Sequence, residues 1–291
     1  MNCTLITNNV PSWNKLVMDI FHSLLLGTVQ GLTEFLPVSS SGHLVIFQNL
    51  LGMHEPEMLF DTALHFGTLL ALFIVFRNDV AELITSFFRI LFVKKNASIT
   101  ASYGTDETTR LLVLIVVGTV PTVLLGFCFK DLFERLFSSV SVVGCTLLIT
   151  GALLWFTKYR TSTTKTVMQM TIYHALVIGF IQGLAITPGI SRSGSTIAVA
   201  LFLGIERETS GRFSFLLSMP AVLGATILNF SAATVTTSEI IPIALGTAAA
   251  VITGWISLVF LLKLIRQGRF HFFAPYCFSI GMAALFYSLF S

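Results

Sequence analysis

Six stretches of this chain, 58–76, 111–129, 141–156, 213–230, 241–262 and 271–290, are apolar over enough residues, or nearly so, to cross a membrane as helices. Spanning hydrocarbon takes about 17–25 mostly apolar residues in an α-helix. Composition agrees: the chain is 54% hydrophobic and only 11% charged, whereas a soluble domain has about a quarter of its residues charged. The expected fold is therefore an all-α polytopic membrane protein with six transmembrane helices. Residues 1–291 are read as one integral membrane domain, because neither half has enough helices to close a bundle alone. A formal net charge of +3 gives no reason to expect a nucleic-acid partner. Cys3, Cys128, Cys145 and Cys277 show no metal-ligand spacing and read as apolar filler. Residues 1–14 are polar, lack a basic n-region and read as a short exposed tail.

The placement of basic residues orients the spans. Loop 77–110 carries Arg77, Arg89, Lys94, Lys95 and Arg110, loop 157–171 carries Lys158, Arg160 and Lys165, and loop 263–270 carries Lys263, Arg266 and Arg269. Loop 231–240 has no Lys or Arg, and loop 130–140 balances its two with Asp131 and Glu134. Basic loops stay in the cytoplasm, so the span sets 58–156 and 213–290 run in opposite directions. Segment 80–93 is apolar but lies within a basic loop, and is expected to be an interfacial helix.

One polar motif occurs twice. Gln30-Gly31-Leu32, Ser39, Ser41-Gly42 and Gly52 recur as Gln182-Gly183-Leu184, Ser191, Ser193-Gly194 and Gly204, each 152 residues on with no gap. Repeat one covers about 16–156 and repeat two about 172–291, an inverted-topology duplication of the kind common in transporters. The segments holding the motif, 16–52 and 172–206, are each an apolar run, a Gly/Pro/Ser break and a second short run. With six spans in place, both must enter and leave on one face as re-entrant hairpins. Broken backbone at membrane depth must be buried in protein or line a wet cavity, so the two tips are expected to meet.

The copies differ where chemistry would reside. Copy one has Glu34, Ser40 and His43 where copy two has Ile186, Arg192 and Ser195. Gln30 and Glu34, four residues apart, share a helix face that Pro37 ends. Arg192, Ser191, Ser193, Gly194 and Thr196 open a helix whose N-terminus suits an anion, and Ser39 and Ser41 offer matching hydroxyls. An arginine fork among hydroxyls makes phosphate the natural ligand. Ser39 and Ser195 are equally open to bonding only their own backbone, and Gln182 to acting as interhelical polar glue. Buried Glu, His and Arg are too costly in lipid to be ornament. Asp61 and His65, also four apart, read as a helix start and a packed histidine.

The runs Gln30-Gly-Leu-Thr-Glu34-Phe-Leu-Pro-Val-Ser-Ser-Ser-Gly-His43 and Pro188-Gly-Ile-Ser-Arg192-Ser-Gly-Ser-Thr196 resemble the two signature motifs of the bacterial undecaprenyl-diphosphate phosphatases, the family tied to bacitracin resistance. The similarity extends over about residues 16–291 and includes Phe213-Ser-Phe-Leu-Leu-Ser218-Met-Pro220. It implies hydrolysis of a polyprenyl diphosphate lipid to the monophosphate carrier of cell-wall synthesis. It also implies a bacterial plasma-membrane location, with the chemistry on the outer side. The family's acidic motif commonly begins with Glu where this chain has Gln30. On this reading Arg192 and the helix start at Ser193–Thr196 bind the terminal phosphate. Glu34, helped by Gln30, holds Mg²⁺ or Ca²⁺, and His43 is general base toward Ser40 or a water. The sequence leaves open whether Ser40 is phosphorylated and whether the chain pairs as a homodimer. A flippase for polyprenyl phosphate is the competing class, since inverted repeats with buried charges describe alternating access equally well.

Overall fold

The structure is a computed structural model and describes residues 20–53, 58–93, 103–137, 139–160, 163–232, 237 and 239–290. The tail at 1–14, Cys3, Lys94 and Lys95 lie outside the described residues. The helices are α1 (Ile20–Phe35), α2 (Ser40–Leu50), α3 (Met58–Val75), α4 (Arg77–Phe88), α5 (Glu107–Cys128), α6 (Lys130–Phe137), α7 (Val140–Phe156), α8 (Ile172–Leu184), α9 (Arg192–Phe202), α10 (Arg207–Ala232), α11 (Ile240–Arg266) and α12 (Ala274–Phe290). No strand occurs among the described residues. The chain is an all-α, multi-pass membrane protein.

Each of the six expected spans is a helix. α5, α7, α10, α11 and α12 are long and apolar enough to cross by themselves, and α3 joins them if its bent continuation is counted with it. The chain turns by 85° between α3 and α4, so segment 80–93 leaves the α3 axis. α4 starts earlier than hydropathy suggests, at Arg77, because its first turn is polar and reaches α10: Arg212 donates to Asp79 (2.5 Å) and to Glu107 (2.8 Å). The loop expected at 130–140 contains α6, which buries Phe133 and pairs Lys130 with Glu134 one turn on (3.6 Å).

Packing crosses between the halves. α1 lies along α11, from the second half of the chain, and α8 lies along α5, from the first half. Lipid gives no hydrophobic reward for joining two apolar helices, so close backbone approach at small residues must supply the attraction. Gly27 meets Gly246 and Gly179 meets Gly118 so closely that a Cβ at Gly27 or Gly179 would strike the facing carbonyl. Gly27 and Gly179 are themselves 152 residues apart. Polar bonds follow the same seams: Ser257 donates to the Gly31 carbonyl (2.7 Å) and Thr122 to that of Gly179 (2.8 Å). Gln182 donates to Thr122 (3.2 Å) and the Leu217 carbonyl (3.3 Å), so it is interhelical glue. Gly179→Val should therefore wedge α8 off α5 and cost about 1–3 kcal/mol or more, as overpacking does. Thermal unfolding in detergent would show a lowered midpoint; an unchanged one would mean the seam is loose.

Candidate active site

Both motif copies fold alike. Helix α1 ends at Phe35, two residues before Pro37, and α8 ends at Leu184, before Pro188. Ser39 caps α2 by accepting from the Gly42 amide (3.2 Å), and Ser191 caps α9 by accepting from the Gly194 amide (3.0 Å). Gly52 and Gly204 end these helices at φ 77° and 83°. The amides that follow, of Met53 and Ile205, reach back to Gln48 (2.9 Å) and Ala200 (3.1 Å). This C-cap requires a left-handed residue, which explains glycine at both places. α2 begins at Ser40, three residues before His43, so Ser40 and Arg192 occupy the same first-turn position in the two copies.

The tips meet, as burial of broken backbone demands. Ser39 Oγ accepts a second bond, from the Gly189 amide of the other tip (3.1 Å). Ser193 donates to the Leu36 carbonyl (3.4 Å). The second tip is held on α7 by Thr146, which donates to Pro188 O (2.6 Å), and by Thr150, which donates to Gly189 O (3.0 Å) and accepts from the Ser191 amide (3.1 Å). Ser39 has φ 67°, ψ 95°, a conformation that costs a non-glycine residue about 1–3 kcal/mol and persists only when its surroundings fix it. Ser39→Ala should lose both the cap and the inter-tip bond, at a cost of roughly 1–2 kcal/mol. The midpoint of thermal unfolding tests this.

Glu34 is where the copies converge. Its Oε1 takes the Arg192 guanidinium, and its Oε2 accepts from Ser40 Oγ (2.5 Å) and from Gln30 Nε2 (2.8 Å). His65 Nε2 stands 3.6 Å from the same Oε2. The Glu34 side chain is 5% exposed and that of Arg192 18%, so this is a buried ion pair with one arginine nitrogen, Nη1, left without a partner. An unpaired buried donor beside a helix N-terminus is what an entering anion would satisfy. Ser40 has its hydroxyl proton directed at a carboxylate, an arrangement that can generate a nucleophile.

His43 is placed differently from expectation. Its Nδ1 donates to the Ser39 carbonyl (2.8 Å) and its Nε2 meets the Tyr276 hydroxyl (2.7 Å), whereas Ser40 bonds Glu34. The group in reach of the Ser40 proton is therefore Glu34. The remaining hydroxyls bond one another or the nearby backbone. Ser41 pairs with Ser39 (3.3 Å) and Ser193 with Ser191 (3.3 Å), while Ser195 and Thr196 bond back to the Arg192 carbonyl (3.2 and 2.8 Å). His65 and Tyr276 were not expected here. The Asp61–His65 spacing was a signal for the first; Tyr276 lies 233 residues from His43 and gave none.

Among the described residues, no group of three or more His, Cys, Asp or Glu could hold a metal ion. The oxygen donors present are the Glu34 carboxylate and the Gln30 carbonyl, whose Oε1 is buried and unpartnered. Glu34 Oε1 already takes Arg192 and Oε2 already accepts from Ser40 and Gln30, so a cation held here would draw most of its ligands from substrate oxygens and water, as Mg²⁺ does.

Fold and site together define a multi-pass membrane protein with a buried Glu34–Arg192 ion pair between two broken helices. The chain belongs to the family described as bacitracin resistance protein BacA, whose model matches residues 23–283. Among curated relatives, a protein named undecaprenyl-diphosphatase from Desulfatibacillum aliphaticivorans is 47% identical over 90% of this chain and 96% of its own length. One of the same name from Desulforapulum autotrophicum is 45% identical over 92% and 98%, and one from Halothermothrix orenii 42% over 91% and 96%.

Proposed function

We propose that this chain hydrolyses undecaprenyl diphosphate to undecaprenyl phosphate and inorganic phosphate, with Glu34, Ser40 and Arg192 as its catalytic centre. One observation carries the reading: the residues at matching first-turn positions of the two copies, Ser40 and Arg192, close on the two oxygens of one carboxylate. In the resting site Glu34 neutralises Arg192. An arriving diphosphate competes for the guanidinium through its unpaired Nη1 and through the α9 N-terminus, and frees Glu34 to act as base. Glu34 takes the Ser40 proton as Oγ attacks the terminal phosphorus in line. The bond to the bridging oxygen breaks, and the lipid monophosphate leaves with the proton that Glu34 returns. Water then attacks the phosphoserine, releasing phosphate and restoring Ser40. Glu34 and the Gln30 carbonyl would hold Mg²⁺ or Ca²⁺, which when bound neutralises charge on the diphosphate oxygens.

We place the chain in the bacterial plasma membrane, with hairpin 20–53 entering from the outside and hairpin 172–206 from the cytoplasm. The alternating basic loops and the exchange of α1 and α8 between halves support this inverted topology. The polyprenyl tail stays in lipid, since nothing draws it into water. Hydrolysis and flipping separate cleanly in an experiment. Purified protein in detergent should release phosphate from undecaprenyl diphosphate with Mg²⁺ or Ca²⁺ present, a reaction that needs no compartments. Silence in detergent, with lipid translocation in reconstituted vesicles, would instead establish the flippase.

A further inference from the structure

Helix α12, from the second half of the chain, touches the first motif copy at two adjacent residues. The Tyr276 hydroxyl meets His43 Nε2 at 2.7 Å, and Cys277 Sγ donates to the Pro37 carbonyl at 3.4 Å. The Tyr276 and His43 rings stack with 7° between their planes and 5.7 Å between centroids. The direction of the bonds follows from what each atom can do. A carbonyl only accepts, so His43 Nδ1 carries the hydrogen given to Ser39 O (2.8 Å), and Nε2 of a neutral imidazole accepts from Tyr276. The same Ser39 carbonyl also accepts the His43 amide (3.1 Å). His43 thus grips the one described non-glycine residue with positive φ, and the next residue is Ser40.

We propose that Tyr276 is a positioning residue for Ser40, acting through His43 and the Ser39 carbonyl, and that His43 is the clamp of this turn. The chain Tyr276–His43–Ser39 fixes the turn from one side, while the Gly189 amide on Ser39 Oγ fixes it from the other. Ser40 Oγ is then delivered to Glu34 at 2.5 Å. The inference rests on the hydrolase reading, and Tyr276 itself makes no hydrogen bond with Glu34 or Arg192.

Steady-state phosphate release from undecaprenyl diphosphate in detergent tests it, on wild type, Tyr276→Phe, His43→Ala, their double variant and Arg192→Ala. Tyr276→Phe keeps the ring stack and removes one hydrogen bond, so kcat should fall about tenfold while KM stays within about twofold, because the anion site is untouched. Since Tyr276 acts only through His43, the double variant should be no slower than His43→Ala. Unchanged kcat in Tyr276→Phe, a loss seen only as raised KM or lowered unfolding midpoint, or losses that multiply in the double variant would each overturn the positioning role. Arg192→Ala keeps the two readings apart. If it is inactive and Tyr276→Phe is normal, only the positioning role fails; if it turns over normally, the hydrolase site itself is wrong.

Discussion

Arg192→Lys is expected to lower kcat/KM by at least about a hundredfold, and Arg192→Ala by about a thousandfold, in phosphate-release assays on folded protein. The guanidinium does two things that an ammonium cannot combine. Its Nη2 bonds Glu34 Oε1, and Nη1 stays buried without a partner in the resting site. Lysine offers a point charge in place of a planar fork, so it can neutralise Glu34 or hold a phosphate oxygen, but not in the fork geometry needed here. Folding is a separate matter. Removing one member of a buried pair leaves a charge stranded, at about 3–5 kcal/mol, so Arg192→Ala should also unfold at lower temperature than Arg192→Lys. Near-normal turnover in either variant would remove Arg192 from the chemistry.

Ser40→Ala is expected to abolish phosphate release, with kcat down by about four to six orders of magnitude, as loss of a covalent nucleophile does. The hydroxyl reaches Glu34 Oε2 at 2.5 Å from the first turn of α2, and its side chain is small enough that alanine should leave the fold intact. Rapid acid quenching of wild type with terminally labelled substrate should trap label on Ser40. A Ser40→Ala enzyme that still turns over, with no trapped label, would mean that water attacks directly with Glu34 as its base.

Much of this architecture could be read from residues, because lipid leaves the backbone few options. Helix length located the apolar helices, five of them long enough to cross by themselves and a sixth only with its bent continuation, and identity at a spacing of 152 residues located both tips. That Glu34 and Arg192 meet followed from burial: two broken segments at membrane depth have only each other to cover them. The direction of individual side chains did not follow. His43 follows Ser40 by three residues, yet its ring turns back to the Ser39 carbonyl, which also accepts the His43 amide, and out to Tyr276. His65 reads as a packed residue along α3 and reaches Glu34 only because α3 and α1 both lie on α11. A contact set by helix packing between distant segments, such as Tyr276 on His43, leaves no local trace in the sequence.

The claim at the centre is that one catalytic site is assembled from both motif copies. A double-mutant cycle on kcat/KM for phosphate release, with Glu34→Gln and Arg192→Lys, tests it most directly. If the two act as a unit, each single substitution should cost about a hundredfold or more and the double variant about the same as the worse single. Losses that multiply, to about ten-thousandfold or beyond, would contradict it and assign Glu34 and Arg192 to independent sites.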